Sequence, residues 1–315
     1  MFNLIVNEWI KIFNRKGTYF MIGILLLSAI GLGVLAKTIG ETDQNPDWKK
    51  ELMQENKDMK EQLKGVNNPA LEKSYERSTA INEYRIKHDL PEDGDYSALS
   101  FISDASSIIP LAGLFVITVA AGIVANEFSW GTVKLLVIRP ISRFKILLAK
   151  YFTVLLFALA LLFILFACAG ITGLALFGIG DGSQVHLAYT DGTVEEKSLL
   201  LHLAGSYLLN SISLLMMATM AFMISTVFRN SSLAVGISIF LLAMGGTVTN
   251  LLATKFEWVK YILFANTDLT QYFDGSPLVS DMTLGFSIVV LAVYFLVFHV
   301  LAFGVFTKRD IASKV

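Results

Sequence analysis

The sequence predicts an all-α polytopic membrane protein with six transmembrane helices, and three observations predict it. Apolar runs of about 18 residues or more recur along the chain, each long enough to cross a hydrocarbon core of ~30 Å. Of its 315 residues, 54% are hydrophobic and 16% charged, with a mean hydropathy of +0.61; soluble domains carry about 25% charged residues. The lysines and arginines are also segregated, clustering beside the apolar runs, so the net charge of −1 conceals the pattern. No basic patch stands apart from a span, which excludes a nucleic-acid partner. The single cysteine, Cys168, lies inside an apolar run. One cysteine cannot form an intrachain disulfide or a cysteine metal cluster.

Residues 1–17 read as an amphipathic interfacial helix. Phe2, Ile5, Val6, Trp9, Ile12 and Phe13 recur at three and four, while Asn3, Asn7, Glu8, Lys11, Asn14 and Arg15 take the other face. Such a helix lies in the membrane interface with Trp9 at headgroup level. The rival reading is a signal peptide cut near Val34-Leu35-Ala36. Glu8 in its n-region and an apolar run longer than the usual 7–15 residues weigh against it.

Span one occupies residues 18–36. Residues 37–104 then turn polar, with charges of both signs, and read as a large extracytoplasmic helical hairpin between spans one and two. Its first helix, Trp48 to Gly65, carries the seam Leu52, Met59, Leu63 and Val66; its second runs from Ala70 to Leu90. A loop of more than about 60 residues crosses the membrane whatever its charge, so its lysines do not set orientation. It is either a charge-laced spacer or a cap that contacts a ligand outside.

Residues 105–315 hold spans two to six. Span two, Ser107 to Ala125, is interrupted early by Pro110. A cytoplasmic loop, 126–146, follows. Span three starts near Ile146 and stays apolar to Phe177; 32 residues at about 1.5 Å each reach ~48 Å, so it either projects from the membrane or bends near Gly170 and Gly173. Gly178 to Lys197 reads as a polar outer loop with Asp181, Asp191, Glu195 and Glu196. Span four, Leu199 to Val227, and span five, Leu233 to Ala253, are joined by the short turn Arg229 to Ser232. Lys255 to Asp281 is amphipathic, with Trp258, Tyr261, Phe264, Tyr272 and Phe273 suited to an interfacial belt. Span six, Thr283 to Phe306, ends in a basic tail containing Lys308.

The loop after span two organises the topology. Lys134, Arg139, Arg143, Lys145 and Lys150 crowd it, with Glu127 as its only acid. Short loops rich in Lys and Arg stay in the cytoplasm, which places both termini inside and the hairpin outside a plasma membrane. Trp130, Val133, Leu136 and Val137 recur at helical spacing, so a short amphipathic helix fits there. Pro140 would end it, and Ser142 suits the N-cap of span three. By composition alone the stretch is equally a solvated charged loop or a docking helix.

Glu127 followed by Gly131-Thr132, Lys134, an apolar pair, then Pro140, Ser142, Arg143 and Lys150 resembles the first cytoplasmic loop of type-2 ABC-exporter permeases. The resemblance follows span order over nearly the whole chain, but its specific residues sit in this loop. It implies an elbow helix at the N-terminus, re-entrant helices before the last span, and a coupling helix that presses on an ATPase subunit. Glu127, Trp130, Gly131, Thr132, Lys134, Arg139 and Arg143 would then be the ATPase-coupling residues.

No Gly-x-x-x-x-Gly-Lys-Ser/Thr occurs, so the chain is not expected to hydrolyse ATP itself; ATP and Mg would belong to a separate cytoplasmic partner. Glu195-Glu196 with His202 and His299 makes a poor membrane metalloprotease, because no second histidine sits one helical turn from either. His299 reads as a helix-packing hydrogen bonder. Ser206, Asn210, Ser213, Met217 and Met220 share a face of span four, and Thr247, Asn250 and Thr254 share one of span five. Of these, Ser206, Asn210, Ser213, Met217, Thr247 and Asn250 are the candidate substrate path, although Ser, Thr and Asn in spans also serve as interhelical glue. Acids and bases within spans are almost missing, which argues against an ion-coupled transporter. The expected protein is the permease subunit of an exporter for an apolar or amphipathic substrate (peptide, antibiotic or lipid). It would pair in the bilayer with a second permease chain, identical or different. The alternative is a membrane sensor or scaffold whose outer hairpin binds a ligand.

Overall fold

The computed structural model describes residues 1–40, 47–63, 69–91, 96–132, 140–179, 185–190, 192–228, 230–273, 277–279 and 281–308. Among the described residues six helical stretches are long and apolar enough to cross a membrane: Lys16–Ile39, Ala98–Ser129, Arg143–Phe177, Leu199–Phe228, Ser231–Ala253 and Leu284–Lys308. The protein is an all-α polytopic membrane protein in its body, and each sequence-predicted span coincides with one of these stretches, span six to within one residue at Thr283.

Helix α1 (Phe2–Phe13) is followed by α2 (Lys16–Gly40), the first span. The sharp corner between them is closed by Thr18, whose buried hydroxyl donates to the Ile12 carbonyl at 2.6 Å. Helices α3 (Trp48–Leu63) and α4 (Pro69–His88) form the predicted two-helix pair. Leu52 is buried in their seam, and so is Asn56, which accepts from the Asn82 amide at 2.9 Å. The seam is therefore partly polar; Val66 lies outside the described residues.

Helix α5 (Ala98–Ala105), capped by Ser97, leads through a 3₁₀ turn into α6 (Ile109–Ser129). Pro110 sits in the first turn of α6, where its missing N–H has no partner to lose. Pro110 therefore opens α6 and does not interrupt span two, and Asn126 to Ser129 belong to the helix. Helix α6 is the hub of the bundle. Thirteen of its residues are buried, among them Ala112, Val116, Ala120, Gly122 and Ala125, and their small size lets neighbouring helices approach closely.

Helix α7 (Arg143–Phe177) runs unbroken for 35 residues, about 52 Å at 1.5 Å per residue. The helix is continuous through Gly170 and Gly173. Its last turns are covered by α5: a Cβ on Gly173 would lie 3.1 Å from Ala98 backbone, and Phe101 and Ala169 are fully buried. Ser142 caps its start as expected, accepting from the Lys145 N–H at 3.4 Å.

The expected polar loop before span four is a β-hairpin. Strands β1 (Val185–Thr190) and β2 (Thr193–Ser198) pair antiparallel, Val185 opposite Ser198, and Gly192 takes φ +83° in the turn. Asp181 and Asp191 lie outside the described residues. The hairpin rests on α4, with the Tyr84 hydroxyl donating to Glu196 at 3.2 Å. Burial and the nearby Glu196 charge raise the Tyr84 pKa above its ordinary value.

Helices α8 (Leu199–Phe228) and α9 (Ser231–Ala253) follow; Asn230 caps α9, accepting from the Leu233 N–H at 3.1 Å. The segment 257–273 is broken into 3₁₀ turns around the short helix α10 (Leu263–Asn266). Trp258 and Tyr261 are exposed, but Val259, Leu263, Ala265, Asn266 and Leu269 are buried. Phe264 fills the space over Gly245, where a Cβ would come within 2.5 Å of its ring. Helix α11 (Leu284–Lys308) is the last span. It is tied to the segment by Ser287, which donates to Asn266 at 2.6 Å and contacts the Tyr272 hydroxyl at 2.5 Å.

Candidate functional site

The site lies where α1, α6 and α7 meet, at the root of the loop after span two. Lys150, in the second turn of α7, is 1% exposed. An ammonium group has three donors, and all three are used: Glu8 Oε2 at 2.7 Å, Glu127 Oε1 at 2.9 Å and the Ile123 carbonyl at 3.2 Å. Lys11 closes the ring, bonding Glu8 Oε1 at 2.7 Å and Glu127 Oε1 at 3.3 Å. The Thr132 hydroxyl donates to Glu127 Oε2 at 2.8 Å. Two acids and two bases leave the cluster neutral, which is what makes a buried arrangement tolerable. Burial alone would lower the Lys11 pKa, but its bond to Glu8 and the charges of Glu8 and Glu127 raise it.

These contacts revise the sequence reading at three positions. Glu8 was placed on the solvated face of the first helix, yet it is 7% exposed and turned into the bundle. The helix does present Phe2, Val6 and Ile10 outward, an apolar stripe one turn apart. Lys150 belongs to the body of span three, so a fully buried base does occur in the bundle. Glu127, expected to face an ATPase, has its oxygens occupied by Lys150, Lys11 and Thr132. The signal for the cluster was present: an acid on α1 and an acid at the end of span two with one lysine on span three. Only the fold shows that they converge.

The loop leaves this cluster through Trp130, Gly131 and Thr132. Trp130 is the C-cap residue of α6, its N–H bonded to the Asn126 carbonyl at 2.9 Å. Its ring is 65% exposed and lies under the Arg15 guanidinium at 5.5 Å. Gly131 has φ +71°, the left-handed stop that follows many helices. A Cβ there would meet nothing within this chain, so what Gly131 supplies to the fold is its backbone conformation. Val133 to Arg139 lie outside the described residues, and with them Lys134, Arg139 and most of the expected docking helix. Arg143, at the start of α7, donates to the Thr307 carbonyl at 3.4 Å and so ties the loop's far end to α11.

The candidate substrate path is divided. Met217 is packed in the core at 5% exposure. Ser206, Asn210 and Ser213 are half-buried on α8, and Ser206 lies 3.5 Å from His202 Nε2. Thr247 and Asn250 are exposed on α9, whose buried side is Ala234, Ser238, Gly245 and Thr249. Among the described residues no hydrogen bond joins Asn210 to Asn250. His202 stacks on His186 of β1 with ring centroids 3.5 Å apart; His186 was not singled out in the sequence. His299 bonds the Phe295 carbonyl at 2.8 Å and packs edge-on against Tyr151, as a helix-packing residue does.

Six apolar spans around a buried hub define a multi-pass membrane protein. Residues 74–312 match a family model described as a protein of unknown function (DUF2705), and the chain belongs to that family. It is 54% identical over 315 residues to the Bacillus subtilis (strain 168) "Uncharacterized protein YhcI", covering 99% of this chain and all of that one. It is 33% identical over 219 residues to the "Uncharacterized membrane protein YdbK" of the same organism, covering 69% of this chain and 85% of that one.

Proposed function

We propose that this chain is the permease subunit of an ATP-driven exporter, moving an apolar or amphipathic substrate with a separate cytoplasmic ATPase subunit. The observation that carries the reading is the ionic cluster around Lys150. It joins α1, the end of α6 and the start of α7 at the place where the coupling loop begins. A push on that loop would act on Thr132 and Glu127 and pass to three helices at once. Glu127 is then an internal link in the relay, and Trp130, 65% exposed at the loop's root, is its outward contact. The chain would pair with a second permease chain, and ATP and Mg would be bound by the partner.

The test is co-purification in mild detergent with the ATPase encoded nearest to this chain, followed by transport in proteoliposomes. A truncated aromatic anchor commonly costs 2 kcal/mol or more, roughly a thirtyfold loss of affinity, so Trp130→Ala should lose the ATPase. Glu127→Gln should keep the ATPase but uncouple hydrolysis from transport. Full binding and transport by both variants would reduce the stretch to a charged loop. The second reading, a sensor, draws on the groove between α3 and α4, lined by Met53, Asn56, Ile86 and the bases Lys57, Lys60 and Lys87 with Glu61 and Glu83. Purification with no stoichiometric ATPase would favour it.

A further inference from the structure

A groove of about 520 Å³ opens between the last turns of α8 and α11. Val227, Val300, Leu301, Gly304 and Val305 line it, and Lys308 stands at its mouth. The five apolar residues lie on two spans, Val227 in the last turn of α8 and Val300 to Val305 in the last three turns of α11. Val300 is 70% and Leu301 44% exposed, so the wall is open to whatever surrounds the bundle. Gly304 makes the floor: a Cβ there would meet nothing within 4 Å. Arg143, bonded to the Thr307 carbonyl, brings a second cation to the same turn as Lys308.

We propose that this groove binds one acyl chain of an anionic phospholipid, with the phosphate held at Lys308 and Arg143. The argument is complementarity along the groove's length. Its walls offer only hydrocarbon, which matches a chain and offers nothing to a headgroup. Its mouth offers Lys308, with Arg143 bonded to the neighbouring Thr307 carbonyl, and basic pockets between spans are a known means of holding anionic headgroups. An acyl chain passes from one hydrocarbon environment to another, so the groove supplies shape and the cation at its mouth selects the headgroup. The site is separate from the Lys150 cluster and stands whether or not the exporter reading holds.

The full chain, delipidated in neutral detergent, is titrated with mixed micelles of phosphatidylglycerol or of phosphatidylcholine. Thermal unfolding and native mass spectrometry report binding. Phosphatidylglycerol should raise Tm and leave one retained lipid per chain, while phosphatidylcholine and inorganic phosphate should do neither. A Cβ at Gly304 meets nothing, so Gly304→Leu carries its side chain into the groove and should abolish the shift. Lys308→Gln should weaken it roughly fivefold, the equivalent of about 1 kcal/mol for one headgroup cation. Gly304→Ser adds little bulk and should retain binding, which separates groove filling from misfolding. An unchanged phosphatidylglycerol shift in Gly304→Leu would overturn the proposal. So would equal shifts with phosphatidylcholine or with phosphate alone, or a wild-type dimer that Gly304→Leu dissociates with no lipid dependence.

Discussion

Lys150 carries its charge at 1% exposure because every proton on its ammonium meets an oxygen. Breaking such a buried group by removing one partner costs about 3–5 kcal/mol, since the others are left uncompensated. Lys150→Met leaves Glu8 and Glu127 facing each other with Lys11 alone between them. It should lower Tm of the purified protein far more than Lys11→Met, because the Lys11 side chain is 41% exposed and water can replace its partner. In a double-mutant cycle, Glu8→Gln should lessen the damage of Lys150→Met, with a coupling of about 0.5–3 kcal/mol. Strict additivity would mean that the two groups do not share a proton-binding network. The sign of the pH effect follows from Lys11. Its folded pKa lies above the ordinary 10.5, so its stabilisation is complete below pH 10.5 and is lost as pH rises through the folded value. Melts between pH 9 and pH 12 should therefore fall more steeply for wild type than for Lys11→Met.

At the scale of elements, tight helix contacts are built on glycines that the sequence did not mark. Gly245 is covered by Phe264, and Gly205 by Phe273, where a Cβ would come within 2.8 Å. Both rings belong to the 257–273 segment, so two glycines hold it into the bundle. Gly245→Ala should cost about 1–3 kcal/mol by overpacking, whereas Gly246→Ala, which meets nothing, should be neutral or slightly stabilising. Equal melting temperatures for the two would show that the segment yields freely. The spans were legible because hydrophobic length is a property of each run by itself. The Ser142 cap and the α3–α4 pair were legible for the same reason, whereas Pro110, which reads as an interruption of span two, opens α6. The β-hairpin was not, because the acids of Thr193 to Ser198 give no strong alternation; its burial pattern is nearly all exposed. The ionic cluster was not, because Glu8, Glu127 and Lys150 are separated by 119 and 23 positions and each looks solvated in its own segment.

At the scale of the molecule, the described residues fall into two ends with different chemistry. One end holds α1, the Lys150 cluster, Lys145 and Lys308; the other holds α3, α4, the β-hairpin and the last turns of α7. Charge in short loops sets orientation, and the long polar region between the first two spans does not vote. The bases at Lys16, Arg143, Lys145 and Lys308 therefore predict that the first end is cytoplasmic. Single cysteines at positions 60 and 145, in a Cys168→Ala background, test it. Lys60 is a sound probe because its side chain is 63% exposed and its 3.7 Å pair with Glu83 is a surface one, worth about 0–1 kcal/mol. Lys145 is exposed at the start of α7 and outside the ionic cluster. With a membrane-impermeant maleimide on intact cells, Lys60→Cys should label at once and Lys145→Cys only after permeabilisation. The reverse pattern would turn the molecule over. The Lys150 cluster would then lie on the outer face, where no ATPase could press on Trp130, and the exporter reading would fall with the topology.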